Sequence, residues 1–181
     1  MIGSSHKEVM QLLKCQYIFT ISILLLFLNV ACSSTKPAPP EIHLLDAIAQ
    51  GEVQSVQLHM DAGTNPNKHF IPFPLPFAGA SALHLAVVID NPEIVTLLVD
   101  GGADINLNAK DGSEASPLIW AAYWGKPNSA KILIAQGANI KKTDNSGNNV
   151  YDVLKIKNIF VPEQEVAALN KARQIIAQLL P

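Results

Sequence analysis

The chain has little cysteine, little charge and few aromatics. Its two cysteines, Cys15 and Cys32, both lie near the N-terminus. From Ser33 onward there is no disulfide, no thiol nucleophile and no thiolate metal site. Charged residues make up only 15% and the net charge is −2. No basic excess or stripe is present, which argues against nucleic acid as a partner. No apolar run reaches the roughly 18 residues of a membrane-spanning helix. Of the five histidines, His43, His59 and His69 have no second ligand at helical or hairpin spacing, so no metal site is assigned. Asp61, Asp100 and Asp104 fall at helix ends or turns, and Asp111-Gly112 and Asp144–Gly147 are turn sequences. There is no Ser-His-Asp set, phosphate loop or catalytic carboxylate pair, so no catalytic residue and no cofactor is assigned.

What the N-terminus does have is an apolar stretch, Tyr17–Val30, preceded by Lys7 and Lys14. Its length fits the core of a secretory signal peptide. A start at Met10 instead of Met1 would give a more typical leader, and the sequence leaves both starts open. The stretch ends in Leu28-Asn29-Val30-Ala31-Cys32-Ser33-Ser34. This resembles the cleavage box of bacterial lipoproteins, with Asn29 where that family usually has leucine. An ordinary secretory leader is the alternative. The resemblance implies cleavage before Cys32 and acylation of that cysteine. Ser33, in place of the aspartate that marks inner-membrane retention, implies sorting to the outer membrane. Several acyl chains anchor stably where one does not. Ser33–Pro40 is polar and proline-rich, an extended tether. The expected organisation is signal peptide 1–31, lipidated cysteine and tether 32–40, and folded domain 41–181. Removing Lys7, Lys14 and Glu8 with the leader leaves 11 of 13 basic and 14 of 15 acidic residues, a net charge of about −3.

The folded part is organised around Gly79–Asn106. Ser81 suits a helix N-cap, and Leu83, Ala86 and Val87 follow at helical spacing. Asp90-Asn91-Pro92 ends that helix and begins another, since proline fits the first helical turn. Ile94, Val95, Leu97 and Leu98 give the second helix its stripe, and Gly101-Gly102 closes it. Upstream, Leu44, Ala47, Gly51, Val56, Leu58, Gly63 and Asn67 fall into the same frame. Downstream, Leu118, Ala121, Gly125, Ile132, Leu133, Gly137 and Ala138 do so again, and a fourth start appears at Gly147–Leu154. The starts at Leu44, Leu83, Leu118 and Tyr151 are about 39, 35 and 33 residues apart, a period that marks a solenoid.

Ser81-Ala82-Leu83-His84-Leu85-Ala86 resembles the Thr-Pro-Leu-His-x-Ala signature of the ankyrin repeat. Ser116-Pro117-Leu118, Gly102-Ala103-Asp104 and Gly137-Ala138-Asn139 extend the resemblance, which covers roughly residues 41–180. It implies an all-α solenoid of about four helix-turn-helix repeats with hairpin fingers. Repeat one lacks the Pro-Leu-His start, as a capping repeat does. Repeat three has Ile119 where the family has histidine. Repeat four resumes helical pattern only around Pro162–Leu180. There Val166, Leu169, Ala172, Ile176 and Leu179 form the stripe, with Lys171 and Arg173 expected on the exposed side of a C-terminal cap. His84 takes the family's structural histidine position.

Between repeats one and two lies the insert Lys68–Ala78, where Pro72, Pro74 and Pro76 alternate with Phe73, Leu75 and Phe77. Alternating prolines exclude a regular helix. Phe70, Phe73 and Phe77 either fold back on the repeats or project to meet a partner. The resemblance implies a contact face built from the fingers and the residue pair before each first-helix glycine. Those pairs are Ala49-Gln50, Val88-Ile89 and Tyr123-Trp124. Tyr123, Trp124, Val88 and Ile89 are the expected partner contacts; packing against fingers or the next repeat is their alternative role. Trp120 is expected partly buried between repeats. The function implied is a non-enzymatic protein-binding module, monomeric until it meets its partner. Its only membrane contact would be through lipid, in the bacterial envelope. It would serve as scaffold or adaptor or, alternatively, as an immunity protein that blocks a toxin acting in the periplasm.

Overall fold

Short helices form where the sequence supplies an apolar stripe, at several of them behind a side-chain cap. The computed structural model describes residues 36–181, so the leader, the cleavage box and Cys32 lie outside the described residues. The described residues form eight α-helices: α1 Leu44–Gln50, α2 Val53–Asp61, α3 Ala82–Ile89, α4 Pro92–Asp100, α5 Pro117–Trp124, α6 Pro127–Ala135, α7 Val150–Val153 and α8 Val166–Leu179. Short 3-10 turns stand at Pro66–Lys68 and Glu163–Glu165. Among the described residues there is no strand, and one isolated antiparallel bridge joins Phe70 to Ser81. The fold is the expected all-α solenoid, and its fingers are irregular turns rather than regular hairpins.

The caps of α3, α5 and α7 fall at equivalent places. Ser81 accepts from the His84 N–H and Ser116 from the Ile119 N–H, each at 3.4 Å. Asn149 and Asp152 form a capping box at the start of α7. Asn91 accepts from the N–H groups of Glu93 and Ile94 ahead of α4. Each bond satisfies a donor that the first helical turn leaves free.

Helices stack in two rows. First helices α1, α3, α5 and α7 pack in order, and second helices α2, α4, α6 and α8 do the same behind them. α8 therefore fills the second-helix position of the fourth repeat, after a long connection from α7. Ala47, Ala86 and Ala121, at equivalent positions of the first three first helices, are fully buried. A methyl at that place lets neighbouring helices approach closely. Leu83, Ile94, Leu98, Leu118 and Leu133 fill the space between rows.

Side-chain bonds join one repeat to the next. Asn67 receives the Asp104 N–H at 2.8 Å and donates to the Gly102 carbonyl at 2.9 Å. Asn106 repeats the first of these with the Asn139 N–H, at 2.8 Å. Buried His59 closes the first repeat, 2.8 Å from the Ile42 carbonyl and 3.1 Å from the Thr64 hydroxyl. Lys36–Pro181 forms one compact unit with its own core, the property of a part that folds by itself. No helix of the described residues is long and apolar enough to cross a membrane.

Candidate protein-binding groove

The floor of the groove comes from α5, whose sequence Pro-Leu-Ile-Trp-Ala-Ala-Tyr-Trp is apolar all round. Trp120, Tyr123 and Trp124 stand at i, i+3 and i+4, so they share one face. Trp120 is 6% exposed and meets His84 edge-on, ring centres 5.0 Å apart. His84 Nε2–H donates to the Ala115 carbonyl at 3.0 Å, and its Nδ1 accepts from the Ser81 hydroxyl at 2.8 Å. Burial, above all, holds this imidazole down at about 4, so the ring under Trp120 is neutral at pH 7. The expected structural role of His84 is therefore visible in its bonds.

Two loops form the walls. Phe77, at the end of the proline insert, lies 6.0 Å from Trp120 and 5.5 Å from Trp124, edge-on to the latter. Its backbone has φ 60°, which costs a side-chain-bearing residue about 1–2 kcal/mol. These two aromatic pairs, at about 0.5–1.5 kcal/mol each, offset that cost. On the other side Phe160, from the connection between α7 and α8, lies 6.1 Å from Trp124. Tyr123 stands edge-on to Trp124 at 5.3 Å. The resulting groove encloses about 720 Å³. Besides the aromatics, Asp111 and Asp144, from two successive finger turns, border it.

Of the residues expected from sequence to meet a partner, the structure brings Phe77, Tyr123 and Trp124 together in this groove. Phe73 stands away at 89% exposed, next to exposed Leu75. Phe70 is half-buried, with the Lys110 ammonium 3.8 Å above its ring. Half-buried Val88 and exposed Ile89 end α3 and do not line the groove. The alternatives for the insert thus divide: Phe77 folds back while Phe73 projects. Sequence reasoning assigned no role to Phe160, which is 69% exposed.

Arg173 departs from expectation. It is buried, not on the exposed side of α8. Its Nε donates to the Ala122 carbonyl at 3.0 Å, Nη2 to Tyr123 at 2.8 Å and Nη1 to Ile156 at 2.6 Å. Asn158 Nδ2 adds a second bond to the Tyr123 carbonyl at 3.0 Å. One guanidinium thus caps the C-terminal end of α5, where carbonyls lack intrahelical donors, and also holds the loop bearing Phe160. Burial lowers the Arg173 pKa from its ordinary value. The residue shares a stripe with Leu169 and Ile176, spaced four and three away, and that spacing was the available signal.

The two carboxylates of the groove take part in its finger turns. The Asp111 carboxylate accepts from the Ser113 and Glu114 N–H groups and the Ser113 hydroxyl. Asp144 accepts from the Ser146 and Asn148 N–H groups. Among the described residues, no three His, Cys, Asp or Glu side chains gather where they would hold a metal ion. The arrangement is suited to removing another molecule's apolar surface from water.

Known proteins are similar to this chain in sequence. The chain is 33% identical over 76 residues to mouse protein phosphatase 1 regulatory subunit 12A, 42% of this chain and 7% of that protein. It is 33% identical over 116 residues to human protein phosphatase 1 regulatory subunit 27, 64% of this chain and 71% of that one. It is 43% identical over 68 residues to the Drosophila melanogaster transient receptor potential cation channel subfamily A member 1, 38% of this chain and 6% of the channel. The chain thus spans only a small part of two of these relatives. The family profile for ankyrin repeats in three copies matches residues 44–144, more than half of the chain. With two rows of stacked helices, caps at equivalent positions and this match, the chain belongs to the ankyrin-repeat family.

Proposed function

We propose that this chain is a non-enzymatic protein-binding module whose contact site is the aromatic groove on α5. The observation that carries the reading is the convergence of Phe77, Trp124 and Phe160, two of them from loops outside the repeat pattern. Aromatic side chains bury much area at low conformational cost, and they concentrate at binding hot spots. Two of the similar proteins are named as regulatory subunits of a phosphatase. From them we carry over only binding to another protein.

The leader sequence supports a place for the module. Lys7 and Lys14, the apolar stretch and the Leu28–Cys32 box fit lipid attachment at Cys32 and a position in the bacterial envelope, on the periplasmic side of the outer membrane. In that place a binding module acts as scaffold or adaptor for an envelope protein. It is monomeric before binding, touches the membrane through its lipid alone and uses no nucleic acid.

Affinity capture from envelope extract tests the reading, with residues 33–181 as bait and the Tyr123→Ala/Trp124→Ala variant as control. A partner held by the first and lost by the second is the expected result. If that partner is a toxin or hydrolase inhibited on binding, the immunity role replaces the adaptor role. Equal capture by both baits overturns the groove as the contact site. Cys32→Ser should abolish membrane fractionation and incorporation of labelled fatty acid, and unchanged labelling overturns the anchor.

A further inference from the structure

We infer that the groove takes a segment of a partner protein in which an apolar side chain stands beside a lysine or arginine. The inference rests on the binding reading above and adds the chemistry of what is bound. The floor and walls are apolar: Trp120, Trp124, Val153, Phe77 and Phe160 all line the cavity. Such a lining favours an apolar side chain at about 25 cal/mol per Å² removed from water.

Charge decides the neighbour. Asp111 and Asp144 line the groove, and no lysine or arginine does. The three bonds recorded to Asp111 all end on Oδ1, so its role in the finger turn uses one of two oxygens. Three nearby bases keep their charge but lie outside the lining, each with another partner. Arg173 donates to three carbonyls behind α5, Lys110 sits over Phe70, and Lys142 bonds the Asn106 carbonyl. A partner carboxylate entering the groove would lose water beside two like charges. An ammonium or guanidinium meets two opposite charges and the negative faces of aromatic rings.

The chain supplies its own reporter. Its two tryptophans, Trp120 and Trp124, both line the groove, so tryptophan emission, excited beyond the tyrosine band, reads this site alone. The probes are four tryptophan-free twelve-residue peptides on one scaffold, pairing leucine or serine with lysine or glutamate. Each is titrated into residues 33–181. The leucine–lysine peptide is expected to shift the emission and to bind about tenfold tighter than leucine–glutamate. The serine–lysine peptide should bind more weakly still. In the Asp111→Asn/Asp144→Asn variant, which keeps the Oδ1 acceptors of both turns and gives up only the 3.2 Å bond from Asn148 Nδ2 to Asp144 Oδ2, the lysine preference should vanish with the circular dichroism unchanged. Equal or tighter binding of leucine–glutamate overturns the inference. So does serine–lysine binding as well as leucine–lysine, or no emission change with any peptide. If capture of a partner still depends on Tyr123 and Trp124 in those cases, the binding reading stands and only the stated chemistry falls.

Discussion

Asp90, the C-cap of α3, accepts both the N–H and the hydroxyl of Ser129 on the next repeat, at 2.9 and 2.8 Å. Its second oxygen accepts from Asn128 at 3.1 Å. The equivalent turns after α1 and α5 use Gly51 and Gly125 at φ 71° and 63°. Asp90 adopts the same left-handed backbone at φ 60° despite its side chain. The inter-repeat bonds offset that strain. Asp90→Ala keeps the strain and loses the bonds, and should cost about 2–4 kcal/mol. Asp90→Gly loses the bonds but also the strain, and should cost roughly half as much. Urea unfolding midpoints at pH 7 check the order of the two variants.

His84 makes stability depend on pH. In the unfolded chain it titrates near 6.5, and in the fold burial holds it at about 4. Between those values the unfolded state binds the extra proton. The contribution of His84 is therefore complete above pH 6.5, declines as pH falls toward 4, and changes no further below that. The full difference is about 3 kcal/mol. Comparing unfolding free energies at pH 7 and pH 5 should show a smaller drop for His84→Gln than for the native chain. Equal drops would mean the imidazole is not held neutral.

Arg173→Met keeps the apolar stem and removes every donor to Ala122, Tyr123 and Ile156. Unmet carbonyls at the end of α5 should cost about 2–4 kcal/mol. The loop with Phe160 loses its tie as well, so tryptophan emission in the folded variant should move to longer wavelength. An emission spectrum identical to that of the native chain would mean Arg173 does not position that wall.

Gly79→Ala tests the link between fingers. Gly79 has φ 87°, and a Cβ there would stand 2.5 Å from the backbone carbonyl of Lys110. The Gly79 carbonyl also accepts the Lys110 N–H at 2.7 Å. Alanine should separate the two fingers, cost about 2–4 kcal/mol and disturb Phe77 two residues away. Thermal unfolding followed by circular dichroism, with emission as a second signal, checks both effects.

Local pattern carried most of the fold. Serine, asparagine and proline mark helix starts through bonds made within a few residues, and Leu83, Ala86 and Val87 mark a buried face by spacing alone. Tyr123 and Trp124 were legible through the ankyrin resemblance, as the pair before the first-helix glycine Gly125, rather than by spacing. Phe160 was not, because it meets Trp124 through a connection without periodicity. Prolines in the 72–76 insert restrict its backbone but do not say which ring leans inward, so Phe77 and Phe73 look alike in sequence. Arg173 was misplaced because charge was weighed above position. Its stem lies on the apolar stripe of α8, and only the carbonyls at the end of α5, some fifty residues earlier, make its burial favourable.

Repeat stacks ordinarily tolerate growth and loss by whole units, since each unit touches only its neighbours. Trp124 removes that freedom here. Phe77 leaves the chain before the second repeat and Phe160 leaves it within the fourth, yet both rest on the same indole. Duplicating or deleting one unit between them would preserve a stable stack while carrying the two phenylalanines out of reach of a common tryptophan. The number of repeats thus sets whether the two loops can close on one indole, like the span of a caliper.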